Sequence, residues 1–164
     1  MTDNLKEKIA PLLGGIPSGV FILTATDGNG NETGMLSSWV QQAAFEPPIF
    51  SVAVNSKRYL NDWLAKAPEV VLNFVGETQF EFLKHFGKGF EPDQPAFEGI
   101  DIERGTTGAP IIKGALAYLE GRVISQTTAG DHTIYFVEII AAGSADKLET
   151  EKPMVHIRKN GFGY

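Results

Sequence analysis

The chain of 164 residues contains no cysteine. That excludes a disulfide framework, thiolate catalysis, iron–sulfur ligation and cysteine-based zinc sites together. Long apolar runs are missing as well: no stretch approaches the ~18 residues of a spanning helix. The amino terminus, MTDNLKEKIAPLLGG, carries charges where a secretory signal needs an apolar core. A cytoplasmic protein without a membrane partner is therefore expected. Basic charge is in deficit, the net charge being −6 at pH 7, so nucleic acid is not expected as a partner. The lysines and arginines that exist are clustered at Lys57-Arg58, Lys84-His85-Lys88 and His156-Arg158-Lys159. Locally positive ground on an acidic protein suggests a bound anion.

Catalytic signatures are equally sparse. No G-x-G-x-x-G follows a strand, and Gly14 to Gly19 has the P-loop glycine spacing with Val20 where lysine must stand. The three histidines, His85, His132 and His156, form no H-x-x-x-H pair. Ser37-Ser38 has no neighbouring histidine and no nucleophile elbow. Hydrolase and metalloenzyme chemistry are thus poorly supported. What remains is an enzyme whose reactive group is borrowed.

With 43% hydrophobic and 21% charged residues and no linker or repeat, residues 1–164 read as one globular domain. Residues 4–13 have helical spacing, with Leu5, Ile9 and Leu12-Leu13 on one stripe and Gly14-Gly15 as the stop. Segments 18–26 and 33–40 flank the polar turn DGNGN and predict a hairpin. A strand over 49–54 follows Pro47-Pro48. A helix capped by Ser56 is expected over 57–67, closed by Pro68. The apolar strand 69–75 comes next. Thr78-Gln79-Phe80-Glu81 has the form of a capping box, which predicts a helix from Thr78 to Phe86. Residues 87–113 read as irregular. Segments 115–127 and 132–141 predict a long hairpin, and 154–158 a last strand. Hairpins outnumber strand–helix–strand crossovers, so the expected class is mainly β, an antiparallel barrel with a few short helices and a ligand site at its mouth.

Several positions carry two readings each. Gly34-Met35-Leu36-Ser37-Ser38-Trp39 is either an edge strand with a bulge or a backbone bent to offer amides and hydroxyls to a flat ring. Asn55-Ser56-Lys57-Arg58 is either an ordinary helix cap with solvated cations or a phosphate site. Asn73, alone in VVLNFV, is a satisfied core amide or a ligand contact. His85-Phe86-Gly87-Lys88-Gly89 reads more simply, as a helix C-cap with favourable dipole charges. Gly130-Asp131-His132 is a tight turn, or it presents His132 to a ligand at the barrel rim.

In order and spacing, these pieces resemble the flavin reductase-like family, the FMN-binding split barrels with Greek-key topology. The nearest likeness is to the flavin reductase domains at the carboxyl end of cyanobacterial and plant flavodiiron proteins. It is carried by SSWVQQAAFEPP, LKHF, GALAYLEGRV, GDH and VHIRKNGFGY, from about Gly15 to Tyr164. The chain is then a free-standing relative or an excised domain. The resemblance implies an FMN site at a homodimer interface. Met35, Leu36, Ser37, Ser38, Trp39 and Gln41 would line the flavin ring. Asn55, Ser56, Lys57 and Arg58 would fall by the phosphate, Asn73, Phe74 and Val75 beside the ring. His85 and Lys88 would stand near the phosphate or the partner subunit, and His132 near the nicotinamide. The implied reaction is hydride transfer from NAD(P)H to flavin, with electrons passed to an acceptor protein or oxygen. A non-enzymatic FMN electron carrier is the alternative. A split barrel of the pyridoxamine-phosphate-oxidase or haem-handling kind would require more phosphate-binding arginines or paired haem histidines.

Overall fold

The computed structural model describes residues 1–163, so Tyr164, the last residue of the expected domain and of the C-terminal phrase, lies outside the described residues. The elements are α1 (Asp3–Gly14), β1 (Ser18–Gly19), β2 (Phe21–Thr26), β3 (Glu32–Ser37), β4 (Val40–Ala44), β5 (Ile49–Asn55), α2 (Leu60–Leu64), β6 (Glu69–Phe74), α3 (Phe80–Phe86), β7 (Ile102–Arg104), β8 (Pro110–Ile112), β9 (Ala117–Ala129), β10 (His132–Ser144), a 3-10 turn (Asp146–Glu149) and β11 (Val155–His156). Every strand pairing is antiparallel, as the hairpin-rich pattern predicts.

Seven strands form the main sheet in the order β3-β2-β6-β9-β10-β5-β4. Its two edges, β3 and β4, are consecutive in the chain and joined only by Ser38 and Trp39. Laid flat, six inter-strand gaps would hold those edges about 29 Å apart, whereas so short a link reaches about 11 Å. The sheet must therefore curl until its edges meet. They meet without pairing, so the barrel stays open along this seam. The core fills the curl with Leu23, Val52, Val54, Trp63, Leu72, Tyr135 and Val137, all buried. A second cluster, Val20, Ile22, Val75, Phe82 and Phe86 among others, lies under α3.

Several local expectations need correction. The helix predicted over 57–67 is only Leu60–Leu64, because residues 57–59 are spent in a turn. Asn55, not Ser56, organises that turn: its Oδ1 accepts the Lys57 N–H at 3.0 Å and its carbonyl accepts the Arg58 N–H at 2.9 Å. The capping box at Thr78 does not form. Glu151, from the other end of the chain, takes both the Thr78 hydroxyl and amide, and Gln79 turns its side chain to Gly76 and Gly114. The stretch 87–113 is not wholly irregular, since β7 and β8 pair within it. The expected strand 33–40 breaks after Ser37, and β4 follows as a separate edge. Finally, α1 forms, but its stripe is not buried: Leu5 is 48% and Leu12 71% exposed. The helix is instead stitched to the C-terminal segment by Arg158 N–H to Gly14 O and Gly161 N–H to Ala10 O.

Candidate functional site

The seam between β3 and β4 opens into a cleft of about 340 Å³, lined by Met35, Leu36, Ser37, Ser38, Trp39, Ala53, Asn55, Arg58 and Gly87. Its size falls in the ordinary range for small-molecule sites, about 300–1,000 Å³. The two adjacent serines divide their work. Ser37 is buried, and its hydroxyl donates to the Met35 carbonyl at 3.3 Å. Ser38 stands in the gap after β3, and neither its amide nor its hydroxyl has a partner among the described residues. The strand break that the sequence shows only as an odd Ser-Ser pair thus frees two donors toward the cleft.

Arg58 stands at the other end of that wall. It forms no ion pair among the described residues, and its backbone is fixed, since its carbonyl accepts the Asn61 Nδ2–H at 2.7 Å. Its guanidinium also meets the loop after α3, where a Cβ on Gly89 would come within 2.7 Å of Nη1. Behind the cleft, Trp39 is flanked on two sides. The His132 ring lies 4.8 Å from it, tilted by 44°, and the Arg158 guanidinium lies 5.2 Å from its ring centre. His132 is buried, with Nδ1 2.7 Å from Asp131 Oδ1. This hydrogen bond to His132 holds the fully exposed Asp131 carboxyl below its ordinary range. Thr33 and Tyr59 share a hydrogen bond of 2.7 Å below Arg58. Burial raises the Tyr59 phenol above its usual value against that bond.

The fold therefore brings Met35, Leu36, Ser37, Ser38, Trp39, Asn55 and Arg58 to one cleft, with His132 against Trp39. It does not bring the rest there. Asn73 is wholly buried: its Nδ2 donates to the Ile22 carbonyl and the Thr24 hydroxyl, and its Oδ1 accepts the Ile112 N–H. It is a core amide that pins β8 to the sheet. Val75 packs in the cluster under α3. Gln41 and Phe74 line a different, apolar groove of about 520 Å³ on the far side of β4, with Phe21, Phe50, Leu72 and Ile139. His85 turns its Nε2 to the Ala96 carbonyl at 2.8 Å, between Phe86 and Phe90. Ser56, Lys57 and Lys88 are exposed and do not line the cleft. Because α2 has only five residues, it offers no extended helix terminus to an anion, so phosphate recognition there would rest on Arg58.

Sequence reading missed Arg158 at Trp39, Gly87 in the lining and Gly89 behind Arg58. Basic and glycine clusters mark those stretches, but only the fold reveals their faces.

The donor set can be tested against a flavin. A phosphorylated planar ring asks for apolar faces, donors along one edge and a cation at the tail. Met35, Leu36 and Trp39 supply the first, Ser38 the second and Arg58 the third. The fit is good. Among the described residues there is no cluster suited to a metal ion, and no helix is long and apolar enough to cross a membrane.

The sequence profile of the flavin reductase like domain matches residues 13–163. The chain belongs to that family. It is 36% identical over 162 residues to diflavin flavoprotein A 1 of Synechocystis sp., covering 98% of this chain and 28% of that protein. The chain thus spans about a quarter of the length of the curated relatives it matches. Among solved structures, the NADH:FAD oxidoreductase SgcE6 of Streptomyces globisporus superposes with a TM-score of 0.83 at 24% identity, covering 94% of this chain and 89% of that one. A nitrilotriacetate monooxygenase component B from Mycobacterium thermoresistibile gives 0.84 at 23%, covering 96% and 86%. These two share the fold.

Proposed function

We propose that this flavin reductase-like domain binds FMN in the β3–β4 cleft, accepts hydride from NAD(P)H and passes electrons to an acceptor protein or oxygen. The single observation carrying the reading is the coincidence, in one cleft, of the Ser38 donors and an Arg58 guanidinium without a carboxylate partner among the described residues. FMN, when bound, supplies the hydride-accepting centre. Arg58 holds the phosphate through charge-assisted hydrogen bonds. Ser38 donates to the electron-rich edge of the ring, where negative charge grows on reduction. Trp39 is braced by Arg158 and His132, so it walls the cleft without having to be ordered on binding. His132, oriented by Asp131, stands on the nicotinamide side. A homodimer, with the partner closing the open seam, fits the unpaired edges of β3 and β4. In this reading the domain works in the cytoplasm, on its own or as part of a longer flavoprotein.

One observation favours the carrier alternative. His132 is buried against Trp39, so little of its ring is open to a nicotinamide. The absorption spectrum of the purified protein, followed by steady-state NAD(P)H oxidation with added FMN, tests both. A flavin spectrum with multiple turnovers is expected. A flavin spectrum with background oxidation only means a carrier, and failure to take up flavin at all overturns the proposal.

A further inference from the structure

Arg58 reaches the cleft from a turn that is fixed at both of its backbone groups: its N–H donates to the Asn55 carbonyl and its own carbonyl accepts from Asn61 Nδ2. The guanidinium is the soft part. It lies against Gly89, where an added Cβ would meet Nη1 at 2.7 Å, Cζ at 3.7 Å and Nη2 at 3.9 Å. The loop carrying Gly89 is anchored on the core. The Gly89 N–H donates to the carbonyl of Phe86, which is 1% exposed. Phe90 packs on Phe86 at 5.9 Å and on His85 at 5.3 Å, and His85 is itself bonded to Ala96 O. Gly89 also has φ +73°, a left-handed conformation that glycine adopts freely and asparagine tolerates, but alanine resists. A side chain at position 89 would therefore push the flexible tip of Arg58 aside sooner than it would move the loop.

We infer that Gly89 is a positioning residue for Arg58: by presenting no side chain, it gives the guanidinium a backing wall and leaves it aimed along the cleft at the anionic group of the ligand. The inference rests on the reading of Arg58 as the phosphate-binding cation and extends it to a residue outside the cleft. It separates two roles that glycine combines here, tolerance of positive φ and absence of a Cβ. Gly89→Ala removes both. Gly89→Asn keeps the first and removes the second.

The test is equilibrium binding of FMN and of riboflavin, which lacks the phosphate, by fluorescence titration of the whole chain. It compares wild type, Arg58→Ala, Gly89→Ala, Gly89→Asn and the double variant Arg58→Ala/Gly89→Asn. Wild type is expected to prefer FMN. Both Gly89 variants should lose about tenfold of that preference, the size of one charge-assisted hydrogen bond, with riboflavin affinity within about twofold of wild type. In the Arg58→Ala background, Gly89→Asn should change nothing further. A Gly89→Asn variant that binds FMN like wild type, an equal loss for both ligands, or a further loss in the double variant would each overturn the inference while leaving the phosphate reading intact. If Arg58→Ala itself leaves the FMN preference unchanged, the phosphate reading fails and the inference goes with it.

Discussion

Around Asn73 and around Ser38 the same polypeptide treats polar groups in opposite ways. At Asn73 the side chain bonds to Ile22 O, Thr24 Oγ1 and Ile112 N–H, all within the protein and out of water. At Ser38 the amide and hydroxyl sit beside an open cleft with no protein partner among the described residues. Asn73 is a lone polar residue inside an apolar strand, and Ser38 follows a second serine in the break between two strands. What separates the two is whether the hydrogen-bond accounting closes inside the fold.

The sharpest way to break the comparison is Asn73→Ala. It strands the buried Ile112 N–H and takes the side-chain bond from the Ile22 carbonyl, which keeps its strand partner, so urea unfolding should show a loss of about 3 kcal/mol. The surviving folded protein should bind flavin within about twofold of wild type. If flavin affinity falls with stability unchanged, Asn73 belongs to the site and the distinction is lost. Arg58→Ala should behave in the opposite way. FMN affinity should drop about 10- to 100-fold, the worth of a hydrogen bond to a charged group, while the urea midpoint hardly moves. Ser38→Ala should weaken FMN binding about fivefold, and Ser37→Ala, whose hydroxyl bonds inward, should leave it nearly unchanged. The smallest effect concerns acid. Because the folded Asp131 carboxyl is held below its ordinary value, its contact with His132 contributes stability that is full above about pH 4, its unfolded range, and lost as pH falls through the folded value. The stability difference between wild type and Asp131→Asn, followed by urea titrations at decreasing pH, should be constant above that range and shrink below it.

How far these matters could be read from the sequence follows the range of the interactions involved. The hairpin at DGNGN was legible because Asp27 organises it locally, accepting from the Asn29 and Asn31 amides. The antiparallel class followed from apolar strands joined by short turns rather than by helical crossovers. The helix after Asn55 was overextended because Lys57 and Arg58 suit a helix, and nothing nearby reveals that Asn55 diverts them into a turn. Thr78 had every local mark of a capping box, but Glu151 competes for it from the far end of the chain. Of the candidate site, the run Met35 to Trp39 with Asn55 and Arg58 was legible as residue types. The exclusion of Gln41 and Asn73 was not, because strand position alone does not say which side of a curled edge a residue faces. The stacking of Arg158 on Trp39 depends on α1 holding the C-terminal segment in place, a contact between the two extremities of the sequence.

The link formed by Ser38 and Trp39 imposes a rule on chain length. The turn between β2 and β3 can take up extra residues at its exposed tip, where nothing downstream depends on their number. One residue added between Ser37 and Val40 would lengthen the corner and displace Ser38 and Trp39, which line the cleft. Natural length variation among relatives should therefore accumulate at the tip and be absent from the corner.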